Sequence, residues 1–211
     1  MARQRGIALL VSLMLLLMVM LLGVSAAQLA LQSEKAARSE RDRDVAFAAA
    51  EDGLMNAERD IQHGSDPARR AAFDAPGESV AFADACGADA GAGGADAGGA
   101  AAAGVGLRAR AASGKAPAWQ QVDLSGASDG GACTAMHGAY AAGEMPTGEG
   151  FLPFKKPRYL IERMECHQPG DDASAAAPPR YCYRVTAIGF GAKPETELVL
   201  QSVFSNPEGE P

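Results

Sequence analysis

Arg3-Gln-Arg-Gly-Ile-Ala-Leu-Leu-Val-Ser-Leu-Met-Leu-Leu-Leu17 opens a run that stays free of charge through Gln32. About 20 apolar residues at roughly 1.5 Å each cross a hydrocarbon core, and this run is long enough. An excess of Lys and Arg stays cytoplasmic, so Arg3 and Arg5 put the N-terminus inside and everything after Glu34 outside. A cleaved secretory signal has an apolar core of only about 7–15 residues before its small-residue exit. Val24-Ser-Ala-Ala27 offers such an exit, but the run before it is too long. Two readings keep the helix. One is a plain signal anchor. In the other, Gly6 precedes a cut and Ile7 starts the mature chain.

The helical pattern outlasts the apolar run. From Gln28 to Gln62 there is no proline, and Ala, Leu, Glu, Lys and Arg, all good helix formers, dominate. Glu34-Lys-Ala-Ala-Arg-Ser-Glu-Arg-Asp-Arg-Asp44 alternates in sign, with Glu34 and Arg38 spaced for i,i+4 support, and reads as solvated helix. Beyond it Phe47, Ala50, Leu54, Ala57 and Ile61 recur every three or four residues. They predict one apolar stripe for packing the helix on a sheet, with Glu51, Asp52, Glu58 and Arg59 largely off it. Gly64 suits a C-cap, and Asp66-Pro67 suits a new N-cap and first turn. The expectation is one helix of about 55 residues, apolar all round in front and amphipathic behind.

These residues resemble a family. Arg5-Gly-Ile-Ala-Leu-Leu-Val-Ser-Leu-Met-Leu-Leu-Leu17, followed by Leu22-Gly-Val-Ser-Ala26, is similar to the N-terminus of the PilX family of type IV minor pilins. Arg41-Asp-Arg-Asp-Val-Ala-Phe-Ala-Ala-Ala-Glu-Asp-Gly-Leu54 resembles the segment which that family carries at the outer part of its helix. The later strands resemble the family loosely, and the middle of the chain has no counterpart. The resemblance implies an α+β, type IV pilin-like fold, a long N-terminal helix packed on a small antiparallel sheet. It divides the chain into a cytoplasmic leader (1–6), the transmembrane part of the helix (7–31), its amphipathic part (32–63), a variable Gly/Ala-rich region (64–150) and a C-terminal sheet (151–211).

By the same resemblance, Gly6 precedes the prepilin-peptidase cut and Ile7 becomes the N-methylated terminus. Most major pilins have phenylalanine there, so Ile7 is a departure. Val11 is a larger one, because it occupies the fifth mature position, where major pilins carry a glutamate. A carboxylate at that depth costs about 2.5–3.5 kcal/mol on insertion scales and persists only for a function. In pilins that function is pairing with the terminal amine of the subunit ahead. A chain with Val11 cannot make this pair and has no need of a subunit ahead, which suits a first or tip position. Read without the resemblance, Val11 is an ordinary helix residue in an anchor. The implied partners are prepilin peptidase, the major pilin, other minor pilins meeting the helix between Leu9 and Leu31, and a tip adhesin. The implied location is the bacterial inner membrane, single pass with a periplasmic C-terminus, and then the pilus surface.

The middle says least. Residues 85–104 are nearly all Ala, Gly and Asp and hold no large apolar side chain to offset the entropy of ordering them. After Lys115 the texture changes. Trp119-Gln-Gln-Val-Asp-Leu124 reads as a short element, and Pro153 to Pro157 as an extended connection. Three strand-like runs follow. Tyr159-Leu-Ile-Glu-Arg-Met164 is the first. In the second, Tyr181, Tyr183, Val185 and Ala187 line one face, and Cys182, Arg184, Thr186 and Ile188 the other. The third is Glu197-Leu-Val-Leu-Gln-Ser-Val-Phe204, joined to the second by a turn in Gly189-Phe-Gly-Ala-Lys-Pro-Glu195, so an antiparallel meander is the economical arrangement. Cys166 and Cys182 flank a loop between two of these runs and are expected to pair, leaving Cys86 with Cys133. Four cysteines allow three connectivities, so this is a preference among them.

Other chemistries find little support. Gly91-Ala-Gly-Gly-Ala-Asp-Ala-Gly-Gly99 has phosphate-loop glycines but no Lys-Ser/Thr and no preceding strand. Asp84, Asp89 and Asp96 lack the spacing of a calcium loop. His137 and His167 stand near cysteines but in no paired zinc knuckle. No nucleophile–base pattern suggests catalysis, His63 sits at the helix end, and no cofactor is expected. With a net charge of −7 over 211 residues, the chain is too acidic to advertise nucleic-acid binding. Three readings stay open: a minor pilin that starts a pilus, the initiating pseudopilin of a type II secretion system, and a signal-anchored periplasmic binding module.

Overall fold

The computed structural model describes residues 5–75, 79, 81–82, 104–128, 133–166, 174 and 180–205. Helix α1 runs unbroken over Arg5–His63, 59 residues without a proline. The chain divides into two compact units, Met1–Arg41 and Asp42–Pro211. In the first, every residue from Ile7 through Arg41 is exposed, and Glu34 and Arg38 form the expected i,i+4 pair. This stretch is long and apolar enough to cross a membrane.

In the second unit α1 ends where the sequence punctuates it. The Gly64 N–H donates to Asp60 O at 3.1 Å. Glycine is needed there for close approach, since a Cβ would sit 2.7 Å from Asp60 O. Asp66 then caps α2 (Pro67–Asp74), its carboxylate accepting from the Ala68 and Arg69 N–H groups at 2.8 and 3.4 Å.

Among the described residues five strands make one sheet: β1 (Leu107–Ala109), β2 (Ala135–Met136), β3 (Arg158–Cys166), β4 (Arg180–Phe190) and β5 (Glu197–Ser205). Their order is β1-β3-β4-β5, with β2 also pairing β3. A four-residue helix, α3 (Ala118–Gln121), lies at Trp119. The three expected runs form the antiparallel meander, with Ile161 opposite Val185 and Val185 opposite Ser202.

The sheet departs from the expected all-antiparallel form in one strand. β1 runs parallel to β3, with Leu107 opposite Ile161, so the sheet is mixed. Both β1 and β2 come from residues 64–150, and the sheet is therefore not confined to 151–211. Strands of two or three residues hold too few alternations to register as a sequence pattern. Residues 85–103 of the Ala/Gly stretch lie outside the described residues.

The alternation along β4 sorts its two faces. Tyr183, Val185 and Ala187 join Ala57 and Ile61 of α1 and Phe73 of α2 in the core. Across the sheet, Phe190 meets Phe154 edge-on with centroids 5.2 Å apart, and Glu162 accepts a 3.1 Å hydrogen bond from the Ala118 N–H.

Candidate functional site

Two surfaces stand out, the bare front of α1 and the seam between its outer half and the sheet. On the front, Ile7, Leu9, Val11 and Leu31 are all more than half exposed. Apolar side chains so presented need lipid or other helices around them. Gly6 lies inside α1 at its start.

The seam corrects the expected stripe. Ala50, Ala57 and Ile61 are buried and Leu54 is half-buried, but Phe47 is 43% exposed and lies outside the seam. The buried face instead follows Asp42, Ala46, Ala49, Ala50, Gly53, Asn56, Ala57, Asp60 and Ile61. It is a stripe of small and polar residues rotated away from the larger apolar ones. Small size is what the geometry demands. A Cβ on Gly189 of β4 would sit 2.2 Å from Ala46 O and 2.3 Å from Ala50 N, so helix and strand backbones nearly touch. One on Gly53 would meet the Cβ atoms of Pro157 and Ala187 at 3.2 and 3.3 Å. Periodicity weighted by hydrophobicity selects Phe47 and Leu54; periodicity weighted by smallness would have found this face.

Polar side chains on that face tie the head together. Asp60 and Arg69, both side chains fully buried, form a forked ion pair, with Arg69 Nε 2.9 Å from each Asp60 oxygen and Nη2 2.7 Å from Oδ2. The Tyr159 hydroxyl donates to Asp60 Oδ2 at 2.9 Å, Arg69 Nη1 donates to Val105 O at 2.7 Å, and the guanidinium lies 3.9 Å over the Tyr140 ring. Helices α1 and α2, strand β3 and the approach to β1 are thereby joined at one point. Burial, with the Asp60 charge beside it, pushes the Tyr159 hydroxyl well above its usual range. Tyr183 is pushed up to about 12, again by burial, and donates to Phe73 O at 2.9 Å.

At the other end of the seam, Asp42 holds the β4–β5 turn. It accepts from the Ala192 and Lys193 N–H groups at 2.7 and 3.2 Å and from the Thr196 hydroxyl. Burial alone would raise its carboxyl; these hydrogen bonds and the Lys193 charge more than offset that and hold it below its ordinary value. Midway, Asn56 accepts from the Gly138 N–H at 3.1 Å, and His137 Nε2 lies 2.9 Å from Asp52 Oδ2. Burial drives the His137 pKa down, Lys156 and Arg59 add to this, and Asp52 opposes it only in part.

Cys166 and Cys182 form a disulfide across the end of β3 and β4, with Cα atoms 5.6 Å apart. Cys133 is also disulfide-bonded, whereas Cys86, its expected partner, lies outside the described residues. So do Asp84, Asp89, Asp96 and His167. Among the described residues no group of three or more His, Cys, Asp or Glu is placed to hold a metal ion. The arrangement comprises an exposed apolar helix segment and a unit tied by a buried ion pair and a disulfide.

Comparison with known proteins adds two matches. A family model described as PilX N-terminal matches residues 5–54, and one described as type IV pilus assembly protein PilX C-term matches residues 79–206. No curated protein and no solved structure matches the chain.

Proposed function

Because the chain belongs to the PilX family of type IV pilus assembly proteins, we propose that it is the kind of minor pilin that primes a pilus and stays at or near its tip. The observation that carries this reading is Val11, an apolar side chain on an exposed apolar helix where a growing filament calls for a carboxylate. A subunit without that carboxylate has no anchor for the terminal amine of a predecessor and enters first. Prepilin peptidase cuts between Gly6 and Ile7, the new terminus is methylated, and the helix holds the protein in the inner membrane with its head in the periplasm. Other minor pilins and the major pilin then pack against the helix between Leu9 and Leu31, and a tip adhesin meets the head. Residues 42–61 serve a different end, packing the outer part of α1 against the sheet within the second unit.

The N-terminal mass of the protein purified from its own membranes tests this. A chain that begins at N-methylated Ile7 is the expected result. A chain that keeps its first six residues is a plain anchor carrying a binding module, and one beginning near Gln28 is secreted; either removes the mechanism.

A further inference from the structure

After β2 the chain folds back onto the outer half of α1 in a short loop, residues 137–143. His137 begins it. Its main-chain N–H donates to Pro157 O at 2.9 Å, and its side chain is only 1% exposed. The loop is then fastened along the helix side. Asn56, fully buried, accepts from the Gly138 N–H at 3.1 Å and donates to Ala141 O at 3.4 Å. Tyr140 O accepts from the Ser65 N–H at 2.7 Å and from its hydroxyl at 3.0 Å. Two glycines close the loop over the imidazole. Gly138 has φ +81°, and a Cβ on Gly143 would stand 2.7 Å from His137 Cε1 and 2.9 Å from Asn56 Nδ2. The ring therefore lies between α1 and loop backbone. Its Nε2, 2.9 Å from Asp52 Oδ2, is off the line of a hydrogen bond, and Nδ1 has no hydrogen-bond partner among the described residues.

We infer that residues 137–143 form an acid-released clasp: protonation of His137 detaches the loop from α1 and uncovers the helix at Asp52 and Asn56. A neutral imidazole carries one N–H, an imidazolium two. The added proton puts a charged donor into a site where the described residues offer no second acceptor, and water satisfies it better than the closed loop does. The charged groups facing the ring are Asp52 and Arg59 from α1 and Lys156 from the segment leading into β3. The loop itself carries no other charge from His137 to Gly143. Asp52 favours the imidazolium, but its side chain is 28% exposed and water screens it. Burial outweighs that attraction, Lys156 and Arg59 act with burial, and the closed ring binds its proton less readily than a free one. In the open loop the ring titrates near its ordinary value of about 6.5. Opening therefore grows as the pH falls below about 6.5, by at most about tenfold per pH unit. Cys133 is disulfide-bonded and β2 pairs with β3, so the strand side stays tied and the opening is confined to the loop. None of this depends on membrane insertion or on cleavage at Gly6.

The test is amide hydrogen exchange of the full chain in lipid nanodiscs at pH 7.5 and 5.5, corrected for the intrinsic pH dependence of exchange. It is read on the peptide that holds residues 137–143, with the β4 peptide as reference. Protection of the loop is expected to fall about threefold or more at the lower pH while that of β4 stays constant. His137→Gln, which cannot take up the proton, is expected to give the same loop protection at both values. Asp52→Asn, a change at a partly exposed helix position, removes the attraction that holds the proton on the closed ring and is expected to enlarge the ratio between the two pH values. Equal loop protection in the unaltered chain overturns the clasp. So does a parallel loss in β4, which means global unfolding, or an undiminished ratio in His137→Gln, which places the proton elsewhere, on His63 for example. Should His137→Gln fail to fold, Asp52→Asn decides: a smaller ratio there means that the imidazolium tightens the loop through Asp52, and the proposal fails.

Discussion

Gly189 is the residue on which the head's architecture turns. With Ala46 O and Ala50 N little more than 2 Å from where a Cβ would stand, both of them backbone atoms, the helix has no side chain to swing aside. Gly189→Ala is therefore expected to push α1 off β4 and cost about 3 kcal/mol or more. Urea unfolding of the full chain in detergent micelles, followed by the single Trp119, measures it. The buried Asp60–Arg69 pair makes a second prediction. Arg69→Met leaves a desolvated carboxylate unpaired and is expected to cost about 3–5 kcal/mol, whereas replacing both partners by apolar residues of similar volume restores most of that loss. His137 makes a third. Its pKa is lowered by folding, so the unfolded chain binds the proton more readily. The ring's contribution to stability is present in full above about pH 6.5 and falls as the pH drops below it, by at most about 1.4 kcal/mol per pH unit. A stability that stays flat between pH 7.5 and 5.5 would contradict this assignment.

At the scale of elements, the long helix was legible because it is written twice, in propensity over Gln28 to Gln62 and in the Gly64-Ser-Asp-Pro stop that the structure follows closely. The strands of the meander were legible because each is a run of nine to eleven residues rich in apolar, aromatic and β-branched side chains, with two faces readable in β4. β1 and β2 were not. They are strands only because β3 offers them a partner, and neither has a pattern of its own. The contact face of α1 was half legible. Ala50, Ala57 and Ile61 belong to it, but Phe47, the largest residue of the expected stripe, is 43% exposed and lies off the face on which Ala46 and Ala50 approach β4. The Cys166–Cys182 bridge closes a separation of 16 residues. Its replacement by two serines is expected to cost about 3 kcal/mol, most of it through a freer unfolded chain. The same urea titration, run on the double variant, checks this value.

For the whole molecule, the predictions concern assembly. A clean deletion of the gene is expected to abolish surface pili while the major pilin is still made, as seen by immunoblot of cells and of sheared filaments. Normal piliation would end the priming role without touching family membership. Val11→Glu is expected to insert in the membrane normally but to lose its place in the assembly order, since it gains the means to follow another subunit. Unchanged piliation and unchanged position in the filament would show that the missing carboxylate carries no information. Both experiments read the front of α1, and neither depends on the sheet. A loss of assembly caused by Gly189→Ala would instead report the head.

The sequence by itself determined the membrane-length helix, its continuation beyond the apolar run, its stop at Gly64 and the three long strands; it favoured the Cys166–Cys182 pairing, which the structure then showed. Each of these is a local pattern, repeated often enough along the chain to outweigh the alternatives. Tertiary structure alone decided which face of α1 meets the sheet, that the sheet is mixed, and that Asp60 and Arg69 share one buried site with Tyr159. Those outcomes depend on how closely two backbones approach and on which distant segment fills a given edge. Such distances are set between elements, and no window along a single stretch of chain contains them.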